Sequence, residues 1–212
     1  NNLISGDGGD ELFGGYTFRY EKYLSKITEK STVDEKIKMY LSCHERDWVP
    51  DQVDIFGEKI KFSWDEIYNL LRSKFDNNLS LIDQVYLADF NGKLNFNMIP
   101  LYQKLHTHFN LKYSAPLLSD NIISFSSKLP SSLKYNQNEK IGKNLLRKLL
   151  EKHKIDDLIL KQKQGFSVNT TNLWKNYGQK ICKYFFDKSR IVNDGWINPD
   201  WISKYIDKHD LE

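Results

Sequence analysis

A glycine-rich, acidic segment lies close to the first residue of this 212-residue chain. It reads SGDGGDELFGG from Ser5 to Gly15 and holds five glycines and three carboxylates, those of Asp7, Asp10 and Glu11. The apolar pair Leu3-Ile4 precedes it and predicts the end of a buried strand. A glycine costs about 0.5–1 kcal/mol wherever regular structure would serve, so this density predicts a loop whose backbone approaches a ligand closely.

A purely structural interpretation explains part of the same segment. Asp7 would be the N-cap of a helix and Asp10 its third residue, in a carboxylate variant of the capping box. Acids in a first helical turn interact favourably with the helix dipole, by about 0.3–1 kcal/mol. This interpretation accounts for two carboxylates without any function, but it leaves Gly6, Gly8 and Gly9 unexplained.

The ligand is predicted from what the segment contains and lacks. A loop that follows a strand and opens a helix is the usual position of a phosphate-binding loop. The segment has no G-x-G-x-x-G, no Gly-Lys-Ser/Thr and no calcium-loop spacing. Carboxylates repel phosphate unless a cation lies between them, and Mg²⁺ binds through one or two carboxylates together with substrate phosphates. We therefore expect a nucleotide whose polyphosphate shares Mg²⁺ with Asp10.

The rest of the chain has mainly helical periodicity. Helices are predicted over residues 18–24, 81–90, 100–108, 120–128, 143–153, 173–186 and 199–208, and two more after capping boxes at Thr32–Glu35 and Ser63–Glu66. Residues 48–57 are predicted to be a loop. Because one strand cannot form a sheet, we expect a mainly α fragment of an α/β domain, with residues 1–212 forming a single partial domain.

Composition narrows the classes of partner. The chain has 31 basic and 28 acidic residues, and its lysines are scattered, which gives no case for nucleic acid binding. No apolar run approaches the roughly 18 residues of a membrane-spanning helix. The two cysteines are far apart and lack metal-ligand spacing, which predicts reduced thiols in a cytoplasmic protein.

Several other polar residues are expected to be structural. His106 and His108 point apart on a helix, so a solvated or capping role is predicted rather than a shared metal. Lys143 and Arg147 lie on a predicted amphipathic helix, where cations are usually solvated, although either could reach a phosphate. Glu11 is expected to cap or pair at the start of its helix.

The segment SGDGGDELFGGY resembles the loop of the glutamine-dependent asparagine synthetases, S-G-(E/D)-G-x-D-E-x-F-G-G-Y. The family's second signature, Lys-x-Gly-Phe, is matched in KQKQGFS at residues 161–167. Between the two, PLL, KLP and GKNLLR resemble the family's Pro-Phe-Leu-Asp, Leu-Pro and Lys-x-x-Leu-Arg blocks, in the same order. The resemblance covers about residues 2–174 and leaves a generic helical tail.

The resemblance implies a fold and an activity. It implies the helical portion of an ATP-pyrophosphatase fold of the adenine-nucleotide α-hydrolase type. Members of the family adenylate a carboxylate with ATP, release pyrophosphate, and use ammonia from glutamine to displace AMP and form an amide. The implied partners are ATP, aspartate or a related carboxylate, ammonia, and the N-terminal domain that releases the ammonia. A homodimer is also compatible with the resemblance.

The resemblance also implies a role for each matching residue. Ser5 and Gly6 would lie against the nucleotide, and Gly6 would let the backbone come close. Asp10 would bind Mg²⁺ on the pyrophosphate portion, whereas Asp7 would take a proton from the attacking nitrogen. Lys163 would offset the charge that develops at the α-phosphorus.

Two departures from the family pattern leave the acceptor open. The position of Asp7 more often holds glutamate, which is one methylene longer. The family's Glu-x-Arg is replaced by Lys112-Tyr113-Ser114, and Ser119 replaces an aspartate. Aspartate is the first expectation for the acceptor, and the alternatives are a carboxylate of a sugar, a peptide or a β-lactam precursor. A helical binding module without catalysis is the alternative from another class.

Two elements that the resemblance implies are absent from the 212 residues. One is a Ser-Gly-Gly-x-Asp-Ser loop, whose amides would hold the pyrophosphate, and the other is the N-terminal cysteine of the glutaminase domain. We therefore expect that an upstream part has been lost or removed, and that the isolated chain cannot adenylate a substrate.

Overall fold

A computed structural model of the chain describes residues 2–44, 52–155, 170–186 and 189–206. Contacts between residues divide this part of the chain into two compact units. The first comprises residues up to 44 together with 68–155, and the second comprises 52–67, 170–186 and 189–206. The glycine-rich segment belongs to the first unit.

The described residues are mostly helical. The α-helices are α1 (Gly9–Phe13), α2 (Thr17–Leu24), α3 (Val33–Ser42), α4 (Gln52–Ile55), α5 (Trp64–Phe75), α6 (Leu81–Ala88), α7 (Ile99–His108), α8 (Asp120–Ser127), α9 (Ser131–Lys134), α10 (Asn144–Lys152), α11 (Thr170–Leu173), α12 (Gln179–Phe186), α13 (Arg190–Asn193) and α14 (Pro199–Ile206). The strands are β1 (Asn2–Ile4), β2 (Lys112–Ser114), β3 (Tyr135–Asn136) and β4 (Ile141–Gly142). This content agrees with the predicted mainly α fragment, while the ATP-pyrophosphatase fold stays a prediction.

The predicted strand β1 is present, but all three of its residues are exposed, so the expectation of a buried strand is wrong. The strand has a partner that the sequence did not indicate. It pairs in parallel with β2, and the register places Leu3 opposite Tyr113. Only three residues form β2, and its Lys-Tyr-Ser composition lacks the apolar run by which a buried strand is detected. The pairing brings the segment after β1 next to residues more than a hundred positions away.

The capping box at Thr32 is confirmed. The Thr32 hydroxyl accepts a hydrogen bond from the Glu35 backbone N–H at 3.3 Å, and the Glu35 carboxylate accepts one from the Thr32 N–H at 2.7 Å. Both otherwise unpaired donors at the start of α3 are thus satisfied. The hydrogen bonds to Thr32 also lower the pKa of the exposed Glu35 carboxyl.

Two predicted helices are joined into one helical stretch. Residues 81–90 and 100–108 were expected to be separate, but a π-helical segment, Asp89–Met98, connects α6 to α7. The segment ends just before Pro100, which has no N–H to continue an α-helical ladder. It begins at Asp89, whose side chain is fully buried.

The core of the first unit is rich in tyrosine. Tyr20 packs edge-on against Tyr86 and Tyr135, with ring centroids 5.3 Å away in each case. Other buried members of this core are Tyr16, Tyr23, Ile27, Ile37, Tyr40, Cys43, Phe75, Leu81, Val85 and Ala88. Such edge-to-face pairs add about 0.5–1.5 kcal/mol to the free energy gained from burial alone. This core supports α2, which follows directly after the glycine-rich segment.

One prediction for the second unit is wrong. Residues 48–57 were predicted to be a loop, but Gln52–Ile55 forms the short helix α4. Next to it, Phe56 bridges to Ile197 and stacks on Phe62 at 5.2 Å. Among the described helices, none combines the length and the apolar character that crossing a membrane requires.

Candidate functional site

The connection between β1 and α1 and the first turn of α1 carry four of the five residues predicted to form the site, with Asp10 in that first turn. Strand pairing continues into it, since the Ser5 N–H donates to the Ser114 carbonyl at 2.9 Å. The Ser5 hydroxyl then accepts the Asp7 N–H at 3.1 Å, which closes a local turn. Ser5, Gly6, Asp7 and Asp10 therefore lie together where a parallel strand ends, the edge at which open α/β sheets bind ligands.

The N-cap interpretation of Asp7 is wrong. The residue before α1 is Gly8, in the left-handed region at φ 83°, and no side chain caps the helix. An L-residue with a side chain adopts this conformation at a cost of about 1–2 kcal/mol, so glycine is favoured there. The Asp7 carboxylate is turned elsewhere.

Most glycines of the segment have packing reasons. A Cβ on Gly8 would lie 2.3 Å from Leu118 Cδ2, and one on Gly15 would lie 1.7 Å from Asp10 Oδ1. A Cβ on Gly6, by contrast, would meet no atom within 4 Å, and Gly6 is exposed. The close approach of a ligand to the backbone therefore stays a prediction for Gly6. The left-handed φ favours glycine at position 8, and the ion-paired Asp10 and Lys143 side chains occupy the space of a Cβ at position 15.

Each acid of the segment has a different partner. The Asp7 carboxylate accepts a hydrogen bond at Oδ2 from the Tyr113 hydroxyl of β2. Burial, followed by this hydrogen bond, raises the pKa of Tyr113 to about 12. A neutral phenol orients the carboxylate but does not cancel its charge. Asp7 thus combines a fixed orientation with a net negative charge, as a proton acceptor requires.

Asp10 is paired with a cation. The Lys143 ammonium lies 2.9 Å from Asp10 Oδ1, and both side chains are partly exposed. Lys143 immediately precedes α10 with a left-handed φ of 55°, and its N–H donates to the Phe13 carbonyl at 3.0 Å. The expectation that Lys143 is a solvated helix-surface cation is therefore wrong.

Glu11 is structural, as predicted. It is 2% exposed and accepts a hydrogen bond from the Tyr16 hydroxyl at 2.5 Å. The Lys93 ammonium donates to the same hydroxyl at 2.6 Å and lies 4.0 Å from the Glu11 carboxylate. Burial is the main cause that raises the pKa of Tyr16 and lowers that of Lys93. These contacts attach α1 to α2 and to the π-helical segment.

A buried ion pair connects α2 to the start of the π-helical segment. Arg19 donates to both carboxylate oxygens of Asp89, at 3.0 and 2.9 Å, and the Tyr40 hydroxyl donates to Asp89 at 2.9 Å. His44 Nε2 lies 2.9 Å from the Arg19 guanidinium and Nδ1 lies 3.0 Å from the Tyr40 carbonyl. Because a guanidinium can only donate hydrogen bonds, Nε2 of His44 must accept one and therefore carries no proton. Burial, and after it the charge of Arg19, lowers the pKa of His44.

The described residues fit Mg²⁺ only if substrate supplies most of its ligands. Within these parts of the chain, no group of three or more His, Cys, Asp or Glu side chains could hold a metal ion. Asp10 is partly exposed, and its carboxylate is ion-paired with Lys143. This arrangement suits a cation carried in by a polyphosphate, for which one protein carboxylate is sufficient.

The remaining predicted residue, Lys163, and its motif at residues 161–167 lie outside the described residues. Its convergence with the acidic segment stays a prediction. The structure adds to the site two residues for which the sequence predicted no part in it, Tyr113 and His106. His106 is half-buried and stacks on the Tyr113 ring with centroids 4.3 Å apart, so the solvated or capping role predicted for it is wrong. These two residues could have been placed at the site only by knowing that β1 pairs with β2.

Similarity to known proteins extends over nearly the whole chain. The sequence model of a family described as asparagine synthase matches residues 2–212, which includes the helical tail. Asparagine synthetase (glutamine-hydrolyzing) 1 of Bacillus subtilis (strain 168) is 25% identical over 234 aligned residues. The alignment covers 97% of this chain but 36% of that relative's length. No solved structure matches the chain.

Proposed function

Because this chain belongs to the asparagine synthase family, we propose that it is part of an ATP-dependent ligase that converts a carboxylate into an amide. The observation that carries the proposal is the acidic segment itself. Ser5, Gly6, Asp7 and Asp10 lie on the connection after a parallel strand and in the first turn of the helix that follows, and Asp7 and Asp10 have different partners. Different partners suit the two carboxylates to different tasks.

The first step is activation of the substrate. A substrate carboxylate oxygen attacks the α-phosphorus of ATP, and pyrophosphate leaves. Ser5 and the exposed backbone at Gly6 border the nucleotide, and Lys163 offsets the negative charge that develops at the α-phosphorus. Asp10 would hold Mg²⁺, which would supply charge neutralisation on the departing pyrophosphate.

The second step is formation of the amide. Ammonia attacks the activated carbonyl carbon, the nitrogen becomes positively charged, and AMP leaves as the C–N bond is completed. Asp7 accepts a proton from that nitrogen, and the Tyr113 hydroxyl holds the carboxylate in place. Asp10 is less suited to this role because Lys143 already compensates its charge.

The rest of the reaction requires segments that are not part of these 212 residues. A Ser-Gly-Gly-x-Asp-Ser loop would complete the pyrophosphate site, and a glutaminase domain would release the ammonia. The B. subtilis relative is named a glutamine-hydrolysing enzyme, and the chain spans 36% of its length. We infer that the purified 212-residue chain shows no ATP–pyrophosphate exchange with any carboxylate.

A substrate panel tests the function. The full-length protein is supplied with ATP, Mg²⁺, glutamine and one carboxylic acid at a time, and AMP release is measured together with the amide product. Aspartate is the first candidate, and carboxylates of sugars, peptides and β-lactam precursors complete the panel. AMP release that depends on one acid and yields its amide supports the ligase. No AMP release with any of them would favour a helical binding module without catalysis.

A further inference from the structure

Residues far from the acidic segment hold one of its carboxylates. Two residues after α7, Asn110 lies in the left-handed region at φ 50°, and the Leu111 N–H donates to the His106 carbonyl at 2.9 Å. This tight ending turns the chain directly into β2. As a result, the His106 ring packs flat against Tyr113, with centroids 4.3 Å apart and planes 17° from parallel.

The contact between Tyr113 and Asp7 is a directed one. The Tyr113 hydroxyl donates to Asp7 Oδ2, and no other hydrogen bond to this carboxylate occurs within the described ranges. The Asp7 backbone is fixed separately by the Ser5 hydroxyl at 3.1 Å. With Oδ2 occupied and the backbone fixed, Oδ1 is the oxygen left to accept a proton.

We propose that Tyr113 is a positioning residue for the Asp7 carboxylate, and that it presents Oδ1 to the attacking nitrogen. The inference rests on the proposed function of Asp7. It concerns a residue of β2 for which neither the composition nor the motifs of the chain indicate a role. The His106 ring packs on one face of the phenol and holds the plane of the ring from which the hydroxyl reaches Asp7.

The chemistry of a phenol suits this task. Burial and the hydrogen bond to Asp7 raise the pKa of Tyr113 to about 12, so the hydroxyl keeps its proton at neutral pH. A lysine or arginine in its place would stabilise the ionised carboxylate strongly and weaken it as a base. Asp7 also has a short side chain, and anchoring it limits the positions among which it would otherwise move.

Kinetics of the full-length protein test the role. Tyr113→Phe removes the hydroxyl and keeps the ring that stacks on His106. We expect kcat for amide formation to fall about tenfold to a hundredfold, the range for loss of one hydrogen bond to a charged group, with the KM for ATP unchanged. The acidic limb of the pH–rate profile should move to higher pH, because losing a donor disfavours the ionised carboxylate.

A matched control separates the hydroxyl at this position from hydroxyl loss in general. Tyr177 is 63% exposed, and Tyr177→Phe makes the same chemical change on the second unit. We expect wild-type kcat and an unshifted pH profile in that variant. A Tyr113→Phe enzyme with normal kcat and an unshifted acidic limb would overturn the proposal.

The contact itself is tested without catalysis. In protein labelled with ¹³C at the tyrosine Cζ, the Tyr113 signal is identified by its loss in Tyr113→Phe and titrated with pH. We expect a pKa near 12 that falls in Asp7→Asn, since the amide carries no charge, but that stays above the ordinary value of 10, since burial also raises it. An unchanged Tyr113 pKa in Asp7→Asn would refute the contact. This readout stands even if the full-length protein forms no amide, so failure of the inference and failure of the proposed function are distinguishable.

Discussion

The Lys143 ammonium lies 2.9 Å from Asp10 Oδ1 and so links the acidic segment to the start of α10, which Lys143 immediately precedes. The contact places a cation beside the carboxylate proposed to bind Mg²⁺. A metal carried by a polyphosphate would therefore meet a carboxylate that already has a positive neighbour. Substitutions of Asp10 and of Lys143 are therefore expected to change the Mg²⁺ requirement of the reaction differently.

Asp10→Asn should raise the Mg²⁺ concentration needed for half-maximal ATP–pyrophosphate exchange in the full-length protein, because an amide is a weaker magnesium ligand than a carboxylate. Lys143→Met, the matched control, removes the competing cation and should not raise this concentration. Since the ion pair is partly exposed, each change should alter the free energy of unfolding by about 1 kcal/mol or less, measured by urea denaturation. A normal Mg²⁺ requirement in Asp10→Asn would contradict the metal assignment.

Gly6→Ala and Gly8→Ala should separate function from folding. Alanine at position 6 meets open space, so the free energy of unfolding should change by about 0.5 kcal/mol or less. If the nucleotide contacts this backbone, kcat/KM for ATP should fall about a hundredfold through misplacement. Gly8→Ala should instead destabilise the fold by about 1–2 kcal/mol, because its φ is 83° and Leu118 is close. Normal ATP kinetics in Gly6→Ala would remove Gly6 from the nucleotide site.

Asp89→Ala should destabilise the chain by about 3–5 kcal/mol, because Arg19 would be left buried with an uncompensated charge. Asp34→Ala is the matched control: it breaks the exposed ion pair with Arg72 and should cost about 1 kcal/mol or less. Urea denaturation of the two variants measures both values. Equal losses would mean that burial of the Arg19–Asp89 pair does not govern its contribution.

His44 should make stability depend on pH below its ordinary pKa of 6.5. Its pKa is lowered in the fold, mainly by burial and then by Arg19, so below pH 6.5 the unfolded chain binds a proton that the folded chain does not. The free energy of unfolding should therefore fall as the pH falls from about 6.5, until the folded-state pKa is passed.

Urea denaturation between pH 7 and about pH 5 checks this dependence. His44→Gln should flatten the decrease relative to the unaltered chain, whereas His108→Gln, at an exposed position, should not. The interpretation fails if both variants show the wild-type slope.

Lys163→Ala should abolish adenylation in the full-length protein while the free energy of unfolding changes by about 0.5 kcal/mol or less. The reason is the loss of the charge that offsets the developing phosphate charge. Lys161→Ala, in the same motif, is the control and should retain exchange. ATP–pyrophosphate exchange measures activity, and normal exchange in Lys163→Ala would show that its assigned role is wrong.

Local patterns predicted the elements that depend on neighbouring residues. The capping box at Thr32, the helix through Tyr20 and the presence of a strand at Leu3 were identified correctly, although that strand is not buried, since propensity and periodicity are local properties. Strand β2 was missed because Lys-Tyr-Ser has no apolar run. The helix α4 was missed because it is only four residues long and lies beside Pro50.

The sequence by itself determined where the acids, the glycines and the family signature lie along the chain, and thereby the class of reaction proposed for it. Only the tertiary structure decided what each carboxylate touches: a phenol for Asp7, an ammonium for Asp10 and a buried hydroxyl for Glu11. The physical reason is that a carboxylate's behaviour depends on the charge and hydrogen-bond donors within a few ångströms. For Asp7 and Asp10 those groups belong to Tyr113 and Lys143, which folding alone brings near.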